Sequence, residues 1–203
     1  EEQAGQKWVT MGGHRVVVLD GLAVNSHHEE LNILCVIALA SNFVDPESVI
    51  SSLQSYKGLD HRYKSVATYK GVEFINDSKA TNLGALKSAL ENFASENVVL
   101  IAGGDAKGSK FEQFPEIIDG KLKSLIVMGR DGASLAAISR RLNIATFRVG
   151  SIEEAVYKGF ELASQGDTVL LSPACASLDM FKNFEDRGQR FELAVRELVN
   201  ESC

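Results

Sequence analysis

Cysteine, proline and tryptophan are scarce in this chain, which has three, three and one of them among 203 residues. The cysteines, Cys35, Cys175 and Cys203, are odd in number and far apart, so they do not predict a disulfide framework. A chain of this length buries enough apolar surface to fold without such cross-links. The scarcity of cysteine therefore favours a reducing, cytoplasmic environment.

Long apolar runs and an excess of positive charge are also missing. No apolar run approaches the roughly 20 residues that span a bilayer, and the first residues lack the basic and apolar regions of a signal peptide. Lys and Arg number 21 against 27 Asp and Glu, which gives a net charge of −6. Because such a surface repels phosphate on average, we expect neither a membrane nor a nucleic-acid partner.

Strand and helix patterns alternate regularly through most of the chain. Apolar strand candidates lie at 97–102, 124–128, 145–149 and 167–171, with helical stretches between and around them at about 81–93, 112–119, 131–142, 151–164 and 184–200. Strands that alternate with helices join a parallel sheet covered on both faces. A β-rich segment over 62–75 predicts a hairpin that closes at Lys70-Gly71. The predicted fold is therefore α/β, with a Rossmann-like, mostly parallel sheet, helices on both faces and an antiparallel hairpin at its start.

Residues 1–57 have a different pattern and predict a separate domain before the one at 58–203. A short strand is predicted at 14–19 and a helix over 29–43. A second helix should begin after Asp45, which is its predicted cap, with Pro46 at the first helical position. The first helix carries apolar residues at most positions, so we expect it to be covered on most sides. Its helically spaced apolar residues are Leu31, Leu34, Cys35, Ala38 and Leu39.

Ligands of an open parallel sheet bind at the carboxyl ends of its strands, so the loops there are the candidate sites. The loop at 75–82 brings together Asp77, Ser78, Lys79 and Thr81. In the simplest interpretation, Asp77, Ser78 or Thr81 caps the following helix. A helix N-terminus disfavours the cation of Lys79, and an anionic ligand would remove that objection.

A second loop, at 102–108, contains the pair Gly103-Gly104 followed by Lys107. Paired glycines are typical of a tight turn or of a backbone that approaches a ligand closely. Lys107 suits a carboxylate or a phosphate, although a solvated lysine after a glycine turn fits the pattern equally well. The loop matches neither the phosphate-binding G-x-x-x-x-G-K-[ST] motif nor the G-x-G-x-x-G dinucleotide motif.

Two further strand ends carry weaker signals. Arg130 stands beside Asp131, which we expect to cap the next helix. The run of small residues over 171–179 exposes backbone amides and the hydroxyl of Ser177, which can hold a carboxylate. We interpret Cys175 as a packed residue and not as a nucleophile, because no histidine follows it in the chain. The histidines lack the spacing of metal ligands, so no metal site is predicted.

Taken together, these loops resemble the Mur ligases, and among them the members that add D-glutamate. Five segments carry the resemblance, in the family's order: 58–62 (GLDHR), 75–82 (INDSKATN), Gly103-Gly104-Asp105 with Lys107, 129–132 (GRDG) and 171–188 (LSPACASLDMFKNFEDRG). Five separate matches are far more specific than any one of them.

The resemblance implies a three-domain enzyme with a UDP-binding domain, a central ATPase domain and a C-terminal Rossmann-like domain that carries the incoming amino acid. Residues 58–203 match the third domain and residues 1–57 the end of the second. The P-loop and the residues that bind Mg²⁺ have no counterpart here. We therefore expect a piece of a longer, monomeric ligase, whose other two domains are its partners and which is inactive without them.

The resemblance also implies an ATP site. Arg62 would reach the ATP phosphates, Asp77 would accept a hydrogen bond from the ribose, and Asn32 would contact adenine together with His28. Glu29 departs from the family's pattern, which has an Asn at that position.

The implied D-glutamate site has two ends. Thr81 and Lys107 would face one carboxylate, while Ser177 and the backbone amide of Phe184 would face the other, with Leu178 beside them. Lys79 would lie near the junction of the two substrates as the catalytic residue. In the implied reaction ATP, with Mg²⁺, phosphorylates the alanine carboxylate of UDP-N-acetylmuramoyl-L-alanine, and the amine of D-glutamate attacks the acyl phosphate. This reaction belongs to peptidoglycan biosynthesis.

A second hypothesis remains open. The chain would be a non-catalytic module that binds an acidic amino acid or a nucleotide. Glu29 and the unusual opening segment favour it.

Overall fold

The computed structural model describes residues 2–3, 6–11, 13–18, 27–56 and 58–200 of the chain. The chain divides into two compact units, Glu1–Gly58 and Leu59–Cys203. The assignment of the first unit to the end of an ATPase domain stays a prediction.

The first unit combines a small antiparallel sheet with two helices. The sheet has the order β1-β2-β3, and its strands are β1 (Glu2–Gln3), β2 (Gln6–Met11) and β3 (His14–Val18). Helices α1 (His27–Ala40) and α2 (Pro46–Ser55) follow. The strand predicted at 14–19 is confirmed, whereas the two strands before it were not predicted, because that segment is largely polar.

The expected burial of α1 is wrong. Among the described side chains of α1, Ile33 and Ile37, one turn apart, are buried with Val9 and Val49, and Ala40 packs against this cluster. Its large apolar residues Leu39 (69%), Leu31 (47%), Val36 (46%) and Leu34 (39%) are exposed. The described part of α1 is thus buried along a single stripe.

The start of α2 agrees with the sequence. The Asp45 carboxylate accepts a hydrogen bond from the Ser48 N–H (2.9 Å), and Pro46 occupies the first helical position. The helix ends at Ser55, with Val49 buried on its inner face.

The second unit is a six-stranded sheet with helices on both faces, which confirms the predicted fold class. Its strands are β4 (Lys64–Tyr69), β5 (Val72–Asn76), β6 (Val98–Gly103), β7 (Leu122–Met128), β8 (Ala145–Arg148) and β9 (Thr168–Leu171). They lie in the order β4-β5-β9-β6-β7-β8. The β4–β5 pair is antiparallel and all other pairs are parallel. The hairpin between β4 and β5 turns at Lys70 and Gly71, whose positive φ angles of 48° and 77° suit a two-residue turn.

The helices of this unit are α3 (Leu83–Leu90), α4 (Phe114–Ile118), α5 (Gly132–Arg141), α6 (Ile152–Leu162) and α7 (Phe184–Asn200). Residues of α3, α4 and α5 share one core cluster with Leu100, while residues of α6 and α7 share the other with Val99 and Ile101. Neighbouring residues of β6 thus point to opposite faces of the sheet, as a strand covered on both sides requires. None of the helices that the structure describes is long and apolar enough to cross a membrane.

The position of β9 determines where the loops meet. The chain moves outward from β5 to β6, β7 and β8, then returns to insert β9 between β5 and β6. The carboxyl ends of β5, β9 and β6 are therefore neighbours. A point where the strand order reverses in this way is the usual ligand-binding position of an open α/β sheet.

The cap of α3 differs from the expectation. Asp77, Ser78 and Thr81 lie before the helix, and the side chain of Asn82 caps it by accepting the Ala85 N–H (2.9 Å). The helix begins later than predicted, which leaves the polar residues of the 75–82 loop available for other contacts.

We predict that Asn82→Ala lowers the free energy of unfolding by about 1 kcal/mol, because the Ala85 N–H loses its acceptor. Asn82→Asp, which keeps that acceptor, should stay close to the parent. Urea unfolding of the three chains measures this difference, and equal midpoints for the alanine and aspartate variants would contradict the capping role.

Candidate functional site

Three loops at the carboxyl edge of the sheet are joined by backbone hydrogen bonds. Asp105, after β6, and Ala176, after β9, exchange two N–H···O bonds of 2.9 Å in an isolated antiparallel bridge. The Ala174 N–H donates to the Ala80 carbonyl, after β5, at 2.9 Å. The loops that follow β5, β6 and β9 therefore form one connected surface.

Two glycines make this close approach possible. A Cβ atom on Gly104, whose φ is +131°, would lie 2.2 Å from the Ala176 carbonyl oxygen. A Cβ atom on Gly103, whose φ is +115°, would lie 2.1 Å from the Met128 carbonyl oxygen. No side chain fits at either position, because the backbone of a neighbouring loop lies there. The predicted close approach of this backbone to a ligand stays a prediction.

Three aspartates hold the neighbouring loops together. The Asp131 carboxylate accepts the Ala106 N–H at 2.8 Å and makes no cap bond to α5, so its predicted capping role is wrong. Asp179 accepts the Arg130 N–H at 2.8 Å, and Asp105 forms an ion pair of 3.1 Å with the Arg130 guanidinium. Each of these three contacts joins two loops that are distant in sequence. Sequence spacing alone does not show such contacts.

Three of the residues assigned to an amino-acid site stand on the joined loops. Thr81 is half-buried and its N–H donates to the Lys79 carbonyl at 2.8 Å. Lys107 is exposed, with a positive φ of 51°, and its N–H donates to the Asp105 carboxylate at 2.8 Å. Ser177 is buried. The structure thus brings the three residues to one sheet edge, and their binding roles stay predictions.

Leu178 and Phe184, also assigned to the amino-acid site, differ in how far their side chains are exposed. The Leu178 side chain is 62% exposed, which is unusual for leucine. Phe184 is the first residue of α7 and is half-buried. An amide at this position has no acceptor within its own helix, so it can donate to a ligand.

Lys79 is held by two neighbours of the site. Its ammonium lies 3.8 Å from the centroid of the Phe184 ring, in a cation–π contact. Its N–H donates to the carbonyl of His61 at 2.9 Å. The His61 ring is buried and meets the Phe184 ring edge-on at 6.3 Å. Lys79, Phe184 and His61 thus form one cluster beside the joined loops.

Asp77 is buried at the end of β5. Its two oxygens accept the Tyr63 N–H at 3.2 Å and the Ser172 hydroxyl at 2.9 Å. Burial raises the pKa of Asp77 to about 7, while these two hydrogen bonds and the guanidinium groups of Arg62 and Arg187 act in the opposite direction. A carboxyl group in this state exchanges a proton near neutral pH.

The remaining residues assigned to an ATP site are spread over both units. Arg62 is exposed and its charge acts on the Asp77 carboxyl group, so it can meet a phosphate there. Asn32 is exposed on α1, in the first unit. The side chains of His28 and Glu29 lie outside the described residues, and so does the predicted adenine contact that depends on them.

Two polar contacts at this edge were missed by the sequence analysis. The Asn76 amide lies between the His61 ring (2.9 Å), the Gly188 carbonyl (3.2 Å) and the Glu192 carboxylate (2.9 Å). The Arg187 guanidinium is buried and binds Ser78 and the Cys175 carbonyl. Local patterns do not show these contacts, because both join residues more than ten positions apart. In addition, a charged residue on a helix is normally expected to be exposed, whereas Arg187 is buried.

Cys175 is buried, and burial raises the pKa of its thiol to about 12. A thiol in that state is a poor nucleophile, which agrees with the interpretation of a packed residue. Among the residues that the structure describes, no group of three or more His, Cys, Asp or Glu side chains is placed to hold a metal ion.

The raised pKa of Asp77 predicts a pH dependence of stability. Between about pH 4, the pKa of an unfolded Asp, and pH 7, the folded state holds a proton that the unfolded state has lost. Asp77 thereby contributes up to about 4 kcal/mol to the free energy of unfolding. This contribution is complete below pH 4 and is lost as the pH rises through 7. Asp77→Asn, which cannot titrate, should therefore gain stability relative to the parent from pH 4 to pH 8 in urea unfolding. Parallel pH profiles of the parent and Asp77→Asn would contradict this.

Known proteins are similar to this chain in sequence and in fold. The family model described as Mur ligase, glutamate ligase domain, matches residues 61–175. Two curated relatives, from Nitrosomonas europaea and Pseudomonas aeruginosa, are named UDP-N-acetylmuramoylalanine--D-glutamate ligase and are each 40% identical over 93% and 98% of this chain. The chain spans 40% and 45% of the length of these two relatives.

Solved structures of low sequence identity have the same fold. A pseudomurein peptide ligase type C from Methanothermus fervidus gives a TM-score of 0.68 at 17% identity, over 95% of this chain and 40% of its own. A folylpolyglutamate synthase from Mycobacterium tuberculosis, complexed with ADP, gives 0.65 at 13% identity, over 85% and 41%. The family match covers more than half of the 203 residues and includes the loops after β5 and β6. The chain therefore belongs to the Mur ligase family and contains its glutamate ligase domain.

Proposed function

We propose that this chain is the amino-acid-binding part of an ATP-dependent ligase that joins D-glutamate to UDP-N-acetylmuramoyl-L-alanine in peptidoglycan synthesis. The observation that carries the proposal is the backbone connection of the Thr81, Lys107 and Ser177 loops, through the Asp105–Ala176 bridge and the Ala174–Ala80 bond. The names of the two curated relatives support the choice of D-glutamate over other amino acids.

The chemistry of these loops suits a small dicarboxylate. Lys107 supplies an ammonium group and Thr81 a hydroxyl for one carboxylate. Ser177 supplies a second hydroxyl for the other, together with the Phe184 amide at the N-terminus of the 17-residue helix α7, where the helix dipole favours negative charge. Leu178, exposed beside Ser177, would cover the ligand's carbon chain.

Holding D-glutamate at both ends orients its amine. Much of the rate of amide formation comes from presenting the amine in line with the activated carbonyl. In this proposal Lys79, close to Phe184, lies where the two substrates meet and offsets negative charge that develops there. Its cation–π contact with Phe184 keeps the ammonium beside the pocket.

Nucleotide-binding roles are proposed for Arg62 and Asp77 of the second unit and, separately, for Asn32 of the first unit. Exposed Arg62 fits a phosphate, and the Asp77 carboxyl group fits a ribose hydroxyl in either protonation state, because it can accept or donate a hydrogen bond. When bound, ATP supplies the phosphoryl group that activates the acceptor carboxylate. Mg²⁺ would take its ligands from the other domains of the ligase. A monomer acting in the cytoplasm is part of the same proposal.

The alternative is a module that binds an acidic amino acid or a nucleotide without catalysis. It is favoured by Glu29, where the family's pattern has an Asn, and by the unusual opening segment. Binding without turnover is common to both hypotheses, and the two differ in whether the chain acts together with the rest of a ligase.

We predict that the 203-residue chain alone forms no product from ATP, UDP-N-acetylmuramoyl-L-alanine and D-glutamate. Mixing it with the N-terminal and remaining central parts of a related ligase should restore ADP release that depends on all three substrates. Product from the chain alone would contradict the proposed division of roles, and binding without restored turnover would favour the non-catalytic module.

We also predict that Lys107→Ala weakens D-glutamate binding by about 1.5–3 kcal/mol, the contribution of a hydrogen bond to a charged group. Calorimetric titration of the folded chain measures this change. Lys110→Ala, three residues further on, removes an equally exposed charge that pairs with Glu112 at 3.7 Å and serves as the control. Equal affinities of the two variants would remove Lys107 from the site.

A further inference from the structure

Arg187 is an unusual cation in this fold. Its side chain is 1% exposed, and it is the one Lys or Arg among the described residues that is buried. It is the fourth residue of α7, three positions after Phe184. Most buried arginines are paired with a carboxylate. The surroundings of Arg187 therefore require an explanation.

The guanidinium connects the segments that carry the proposed pocket. It donates to the Ser78 hydroxyl (2.9 Å), the Ser78 carbonyl (2.7 Å) and the Cys175 carbonyl (3.1 Å). Ser78 in turn donates its hydroxyl hydrogen to the Phe184 carbonyl at 2.8 Å. Ser78 precedes Lys79, and Cys175 stands two residues before Ser177. Arg187 thus lies between the β5–α3 loop, the β9–α7 loop and the start of α7.

All three of these acceptors are neutral. Two are backbone carbonyls and one is a hydroxyl, and no carboxylate of the described residues forms an ion pair with Arg187. Burial lowers the pKa of Arg187 to about 10, while the more distant carboxylates of Asp179 and Asp77 act against that change. The group is still fully charged at neutral pH, so its positive charge is hydrogen-bonded but not neutralised by an ion pair.

The charge is retained for some other reason than stability. A buried charge without an ion-pair partner costs free energy, and an apolar side chain of similar size is often at least as stable. In a water-poor setting the same charge attracts an anion more strongly than an exposed lysine does. The anion that fits the surrounding loops is the ligand of the proposed pocket.

We propose that Arg187 is a positioning residue whose buried charge selects an acidic amino acid at this site. The inference rests on the proposed function. The guanidinium does not contact the ligand. It holds Ser78 and the Cys175 carbonyl, and its field favours a carboxylate over a neutral amide in the pocket formed by the segments it joins.

Four substitutions separate charge from packing. Arg187→Gln and Arg187→Met remove the charge, and Arg187→Lys keeps it while losing the planar fork of donors. Ser78→Ala keeps the charge and removes the hydroxyl that accepts from Arg187 and donates to the Phe184 carbonyl. Circular dichroism and urea unfolding identify which variants are folded. If one neutral variant fails to fold, the other neutral variant and the Lys variant still provide the comparison.

The experiment compares D-glutamate with D-glutamine, whose side chain is neutral, in NMR titrations of the full 203-residue chain. The amide signals of Ser177 and Phe184 report binding, including weak binding. In the parent chain, D-glutamate should bind more tightly than D-glutamine. In the folded neutral variants that preference should fall by about tenfold or more, whereas Arg187→Lys and Ser78→Ala should keep it within about threefold.

The failures are distinguishable. If the parent chain shows no D-glutamate shifts at Ser177 and Phe184, the proposed D-glutamate site is overturned, and this inference with it. If the parent binds and the neutral variants keep its preference, only the role of Arg187 is overturned. Equal loss of preference in Arg187→Lys and Arg187→Gln would mean that the fork geometry matters and the charge does not, which also overturns the inference.

Discussion

The backbone bridge between Asp105 and Ala176 is the contact on which the rest of this edge depends. It joins the loop after β6 to the loop after β9, and it exists because Gly104 carries no Cβ atom where the Ala176 carbonyl approaches. Sheet topology makes the two loops neighbours, but only this close approach turns them into one surface. A wider separation would leave room for solvent between Lys107 and Ser177.

Three cations lie at this edge of the sheet, although the chain as a whole is acidic. The protein has a net charge of −6, yet Lys79, Lys107 and Arg187 lie on the loops and helix turn that meet at one sheet edge. The aspartates of the same loops do not cancel these charges freely. Asp131 and Asp179 accept backbone N–H groups of distant loops, and Asp105 binds both the Lys107 N–H and the Arg130 guanidinium. The carboxylates thus connect the loops, and in the proposed function the positive charge of this edge favours an acidic ligand.

Much of the second unit could be predicted from the sequence because its signals are local. Each parallel strand is a short apolar run covered on both faces, and the hairpin turn contains a glycine where φ must be positive. The candidate loops followed from these strands, since ligands gather at carboxyl ends. Lys79, Thr81, Lys107 and Ser177 were selected in this way without knowledge of the strand order.

What could not be predicted depends on contacts between distant residues. The chain before α3 is bonded to a distant loop through the Ala80 carbonyl and the Ala174 N–H, and Asn82, not an earlier polar residue, caps the helix. Asp131 stands where a cap is expected but accepts the Ala106 N–H. The apolar residues of α1 predict a covered helix, whereas Leu31, Leu34 and Leu39 are exposed. Arg187 has the local pattern of an exposed helical charge, and only the folded chain surrounds it.

A crystal structure of the chain with bound D-glutamate tests most directly whether the joined loops share one ligand. We expect one ligand at the sheet edge, with one carboxylate within hydrogen-bond distance of Thr81 and Lys107. The other carboxylate should lie within that distance of Ser177 and the Phe184 amide. A ligand bound elsewhere, or one that reaches residues of only a single loop, would contradict it.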